Sequence, residues 1–178
     1  MDTSSKRRSD MVIGLFHDCD SAELALQAVS DRGYDIGDLN LAMSGETWQE
    51  YVSTPEDAGH GGMLGSALAA LTAAGAVMAL PALGLVFAGP LAAAAASGAS
   101  GGAPDVLTGW GIPAERVKRY ENVLKEGSIL MGVQPYSEED TLHFEERWRR
   151  HSRRQLSPHA PAGMRSDAER YRPRHPCP

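Results

Sequence analysis

An unbroken apolar run at residues 11–16, β-branched and aromatic and bounded by Asp10 and Asp18, predicts a buried strand. Asp20 and Glu23 then have the spacing of a capping box, and Ala22, Ala25, Leu26 and Val29 recur as one helical stripe. Gly33 suits the position that ends this helix. Residues 39–44 form a second short strand, so strand, helix and strand predict a parallel, right-handed βαβ unit. A related pattern begins at Gly109. Pro113 fits the first turn of a helix, Val117, Tyr120 and Leu124 line one face of it, and Gly127 stops it. Residues 128–133 read as a third strand, with Ile129, Met131 and Val133 on one side and Leu130 and Gly132 on the other. Ser137 with Asp140 forms a further capping box, opening a charged helix over about 138–154. Residues 47–52, with Trp48 and Tyr51, are the candidate for a fourth strand at a sheet edge. Three or four strands and two packing helices predict an α+β fold, a small ferredoxin-like sandwich.

Between the two regions, residues 58–104 contain no Asp, Glu, Lys or Arg, and His60 is their only titratable side chain. This block predicts a helical hairpin: one helix over 63–80, a break at Pro81 and Gly84, and a second helix over 85–97 kinked at Gly89-Pro90. Small residues stand four apart at Gly61, Gly65, Ala69 and Ala73, and again at Gly84, Ala88, Ala92 and Ala96. Such rows let helix backbones approach closely, which makes them the expected helix-packing and oligomerisation surface of a glycine-zipper hairpin. A soluble hairpin would keep a polar outer face, so the block is expected to enter a bilayer or to be buried between copies of the chain. A flexible Ala/Gly linker is the third reading. The organisation that follows is a disordered N-terminus at 1–10, half-domains at 11–57 and 105–136, the insert at 58–104, the charged helix at 137–154 and a disordered Arg/Pro-rich tail at 155–178.

Charge sharpens this picture. Residues 1–144 carry a net charge of -11, whereas residues 145–178 carry +5. Arg147, Arg149, Arg150, Arg153 and Arg154, beside Trp148, are candidates for contact with an anionic surface; Glu145 and Glu146 in the same helix fit a solvated amphipathic helix instead. If both helices of the hairpin span, the halves share a compartment, and the Arg-rich segment places it inside. The expected localisation is the inner membrane with globular parts cytoplasmic; the alternative is a soluble cytoplasmic protein. The apolar run at 11–16 is too short for a signal peptide, so no export signal is expected. Cys19 and Cys177 are far apart and read as two free thiols.

Candidate chemistry is sparse. His17, Asp18, Cys19 and Asp20 are consecutive, so their side chains diverge and cannot complete a tetrahedral metal site. Gly59-His60-Gly61-Gly62 lacks the preceding strand and following Lys-Ser/Thr of a phosphate loop. Ser44-Gly45-Glu46 lacks the flanking glycine of a nucleophile elbow. No catalytic residue, cofactor site or metal site is assigned.

The stretch VIGLFHDCDSAELALQAVSDRGYDIGDLNLAMS, an Ala/Gly-rich block, and then GWGIPAERVKRYENVLKEGSILMGV resemble the bacterial general stress protein (heat-induced stress protein) domain family over about residues 11–134. The shared features are the strand–helix–Gly-Tyr opening and a Gly-Ile-Pro helix start that runs to Glu-Gly before a strand. The layout is also similar to a membrane subunit of the alternative quinol-oxidising respiratory complex, whose spans are longer and richer in Leu and Phe. The resemblance implies a stress-response protein and transfers no catalytic activity. The expectation is a non-enzymatic protein, membrane-associated or self-assembling as a homo-oligomer through the hairpin, with a lipid bilayer as a further partner and nucleic acid as none. The alternative is a soluble regulatory or ligand-binding ferredoxin-like domain that oligomerises through the hairpin, its small-molecule ligand unknown.

Overall fold

A computed structural model describes residues 11–52, 62–98 and 103–151. The expected disordered termini, together with Gly61, Arg153 and Arg154, lie outside the described residues. Five strands, β1 (Val12–Phe16), β2 (Leu39–Ser44), β3 (Val77–Leu80), β4 (Leu85–Ala88) and β5 (Ile129–Val133), form one antiparallel sheet in the order β1-β5-β2-β4-β3. Because β5 lies antiparallel between β1 and β2, those two strands run parallel without touching. The βαβ unit is therefore split by a strand from far along the chain, and the α+β class is as expected.

Local signals explain the elements that frame the sheet. Helix α1 (Cys19–Ser30) starts one cap earlier than the sequence pattern suggests: Asp18, not Asp20, accepts the amide of Ser21 at 2.8 Å. Asp18 has extended backbone geometry, as an N-cap requires, whereas Asp20 already sits in the first turn. Residues 47–52 are not a strand. They belong to helix α2 (Gly45–Val52), because the Ser44 hydroxyl accepts the Thr47 amide at 3.1 Å and starts a helical turn at the end of β2. Helix α6 (Ala114–Lys125) follows Pro113 and buries Val117, Tyr120 and Leu124. Helix α7 (Glu138–His151) opens on Ser137, whose hydroxyl accepts the Asp140 amide at 3.1 Å and donates to the Asp140 carboxylate at 2.9 Å.

The charge-free block is where expectation and structure part. Its first helix, α3, ends at Ala73 (Gly62–Ala73), and Gly75 at φ +70 turns the chain. The next residues enter the sheet as β3 and β4, joined by a turn in which the Leu83 amide donates to Leu80 and Gly84 takes φ +66. Only then does helix α4 (Pro90–Gly98) begin. Pro90 does not kink a helix; it opens one at the position where a missing amide costs nothing. The block is thus helix, β-hairpin and helix. Val77, Val86 and Phe87 suit a pleated surface, and the open edge of β2 supplies the partner that overrides the helix propensity of the surrounding Ala and Leu.

Helices cover both faces of the sheet, which adds a third layer to the ferredoxin-like outline. On the first face Val12, Phe16, Leu39, Leu41, Met43, Ile129, Met131 and Val133 pack with α1, α3 and α7. On the second, Ile13, Leu15, Leu85, Phe87 and Leu130 pack with α4, with α5 (Ala103–Gly109) and with α6. The helices α3 and α4 therefore lie on opposite faces and cannot form the expected hairpin. Among the described residues no helix is long and apolar enough to cross a membrane. At 12 residues α3 is about 18 Å long, against a hydrocarbon core of about 30 Å. The expectation of a spanning hairpin is not supported.

Each face has a tryptophan seated on a glycine of the sheet. Trp148 of α7 lies over Gly14, where a Cβ would come within 2.8 Å of its ring, and its indole donates to the Ala25 carbonyl at 3.1 Å. Trp110 lies over Gly132 in the same way on the opposite side. A tighter approach joins the block to the sheet: Gly89, at φ +118, passes so close to β2 that a Cβ would sit 2.4 Å from the Leu39 carbonyl oxygen. Buried Asn40 of β2 then accepts the Leu91 amide at 3.0 Å, supplying the N-cap side chain that Gly89 lacks. Gly89→Ala is therefore expected to destabilise the domain by at least about 1–3 kcal/mol from the backbone strain alone, measured by denaturant unfolding. In a helical hairpin the same change would stabilise.

Candidate functional site

The sheet ends at β3, and among the described residues no strand pairs with its outer edge. The ladder to β4 shows which backbone groups face outward. The Gly89 amide donates to the Ala76 carbonyl at 2.7 Å, one step beyond the Val77–Ala88 pair. Hydrogen-bonded pairs alternate in an antiparallel ladder, so Ala76, Met78 and Leu80 bond to the β4 side. Val77 and Ala79 direct their N–H and C=O groups away from the sheet. On one side of this edge α3 buries Leu64, Ala67, Leu68 and Leu71 and leaves Ala69, Ala70 and Ala73 exposed. On the other side α4 buries Ala92. None of the described residues from 62 to 98 is charged, so β3 and the described parts of α3 and α4 beside it contribute no charge of their own to an acidic chain.

The two rows of small residues have different fates here. Gly65, Ala69 and Ala73 lie on α3, with Gly65 half-buried near the Tyr51 carbonyl and the two alanines turned outward. The second row is not a helical row at all: Gly84 is in the turn, Ala88 is a buried strand residue, and only Ala92 and Ala96 lie on α4. Four-residue spacing has meaning only along a continuous helix, and the β-hairpin interrupts it.

Near the β3–β4 turn, Leu83, Pro104, Ala114, Val117, Lys118 and Glu121 line an open depression of about 530 Å³. Glu121 sits four residues after Val117, within the buried stripe of α6, and its side chain is only 5% exposed. Its ion pair is with Lys118 at 3.5 Å, and that lysine is 77% exposed. A buried carboxyl group beside an apolar wall is an arrangement suited to orienting a ligand. An acidic residue in register with Val117, Tyr120 and Leu124 was the sequence signal for it.

The consecutive groups at residues 17–20 disperse. His17 Nδ1 pairs with the Ser128 hydroxyl at 2.8 Å, Asp18 caps α1, and the Cys19 sulfur contacts the Tyr51 hydroxyl. Cys19 is not the free thiol expected from the sequence, and Cys177 lies outside the described residues. Ser44 is committed to the α2 cap through its hydroxyl contact with Thr47 at 2.9 Å. Burial pushes the Tyr120 hydroxyl up to about 12 and that of Tyr51 further above its ordinary value.

Helix α7 carries the arginines. Arg149 and Arg150 both bond to Glu146, at 3.1 and 2.8 Å, while Arg147 is exposed. The hydrogen bond and charge of Arg150 hold the Glu146 carboxyl below its usual range. These pairs neutralise part of the basic face that the sequence offers to an anionic surface. At its other end α7 is latched to the turn that follows α1. Tyr34 donates to Asp140 at 2.9 Å and accepts the Tyr136 amide at 2.7 Å, its ring stacks on Tyr136, and Arg32 pairs with Glu139 and Asp140, each at 3.0 Å.

No protein-family model matches the chain, and neither does any curated protein or solved structure.

The latch sets a pH dependence. Hydrogen bonds from Tyr34 and Ser137 and the charge of Arg32 hold Asp140 below the ordinary carboxylate range. A depressed folded pKa contributes stability that is complete above the unfolded value, about 3.9, and is lost as pH falls through the folded one. Asp140→Asn is expected to lower stability at neutral pH and to flatten the acid limb of the unfolding profile. Denaturation across pH 2–7, a range of about five units around that value, compares the two proteins.

Proposed function

We propose that this chain is a non-enzymatic stress-response protein that works by self-assembly through its uncharged end. The observation that carries the reading is the placement of the described part of the charge-free block: it completes the sheet and both cores, and its exposed residues flank a strand edge that no described strand pairs with. The stress-response role rests on the resemblance over residues 11–134. Support for the absence of catalysis lies in the occupied roles of His17, Asp18 and Ser44, each committed to a structural contact. Contact with a bilayer, in this reading, is peripheral and runs through exposed Arg147 and its neighbours on α7.

The depression beside Glu121 favours a second reading, a regulatory domain that takes a small apolar ligand bearing a hydrogen-bond donor. The two are separated by complementing a deletion strain under stress. Ala69→Arg and Ala73→Arg place charge on the exposed end without touching the core, and are expected to abolish both assembly and survival. Glu121→Gln is expected to leave survival unchanged. Loss of survival in Glu121→Gln with assembly intact would transfer the function to the depression.

A further inference from the structure

We propose that the outer edge of β3 pairs with β3 of a second copy around a two-fold axis, joining the two sheets into one. The inference rests on the self-assembly reading and adds its geometry. An open strand edge presents donors and acceptors that only another strand satisfies in full, so a lipid surface, which offers no such partner, does not fit. Edges of this kind are ordinarily protected by charged side chains, and β3 (Val77–Leu80) has none, nor does any described residue from 62 to 98.

Charge selects a second copy as the occupant. Residues 1–144 carry a net charge of -11, so most approaches of two copies set acidic surface against acidic surface. The β3 edge, whose described neighbours from 62 to 98 carry no charge, lets two copies meet without setting charged side chains of these residues against each other. A two-fold contact is also self-complementary by construction, with the same patch on both sides.

The outward groups fix the register. Val77 and Ala79 point their N–H and C=O groups out, so Val77 of each copy exchanges hydrogen bonds in both directions with Ala79 of the other. The axis then passes between the two Met78 residues, which form a non-hydrogen-bonded pair with Cα atoms about 4.5 Å apart. The exposed alanines of α3 add little bulk beside the edge, which leaves room for the second copy.

Sedimentation or light scattering of the full-length chain tests this. The wild type is expected at the mass of two chains. Ala79→Pro removes an outward amide that the β3–β4 ladder does not use, so a twofold fall in mass is expected with the circular dichroism spectrum kept. Met78→Cys is expected to give, on oxidation, a covalent dimer beyond any seen for the wild type, because the axial pair lies within disulfide reach; Val77→Cys is not. If Ala79→Pro fails to fold, the contrast between the two cysteine variants decides. A dimer that survives Ala79→Pro, or equal cross-linking by both cysteines, overturns the strand pairing and leaves self-assembly standing. A monomeric wild type overturns both.

Discussion

β2 is bonded along both edges, to β5 through Leu39–Val133 and its neighbours and to β4 from Leu41–Ala88 to Ser44–Leu85. The second of these pairings determines where the charge-free block lies. Once β4 is beside β2, the short turn forces β3 to the sheet edge, α3 arrives on one face and α4 leaves on the other. Gly89 is the pivot, since its positive φ and missing Cβ let the chain cross β2 at van der Waals distance. The cap from Asn40 fixes α4 immediately afterwards. Without this pairing the second core would lose Leu85 and Phe87, and β2 would have an open edge.

The same pairing explains the absence of charge without a membrane. A helix that buries one stripe keeps a polar outer face, but this block is divided among three layers, and each layer buries part of it. Leu64, Ala67, Leu68, Leu71 and Ala88 go to the first core, and Leu85, Phe87 and Ala92 to the second. What is left outside among the described residues is alanine, glycine, proline, Ser66 and Thr72, small side chains whose exposure costs little. The acidic charge of the body is carried on the other elements, α1, α2, α5, α6 and α7 and the loop after α1, and the Arg32–Asp140–Tyr34 latch and the Glu146 pairs use part of it.

Much of the frame was legible from residues alone. The strands β1, β2 and β5, the helices α1 and α6 and the Ser137 cap follow from runs of β-branched residues, helical stripes and punctuating Gly and Pro. The split of the βαβ unit was not, because strand order depends on which edges find partners and no local signal encodes it. The β-hairpin was missed for a related reason. Gly75, the Pro81-Ala82-Leu83-Gly84 turn and the Val and Phe residues were visible, but alanine and leucine around them weighed toward helix until β2 supplied an edge. Glu121 went unnoticed because the stripe was read from its apolar members only. Asp20 was preferred over Asp18 because only Asp20 has a glutamate three residues on; Asp18 caps the helix without that partner, through its extended backbone and the Ser21 amide.

The central claim is that the charge-free block is an integral part of the α/β core, and amide hydrogen exchange in detergent-free buffer tests it most directly. Amides of β4, bonded to β2, should be protected to the same degree as those of β5 and should open with them in one global unfolding event. Fast exchange throughout residues 85–88 while β1, β2 and β5 stay protected would show the block to be a separable module and would contradict the account.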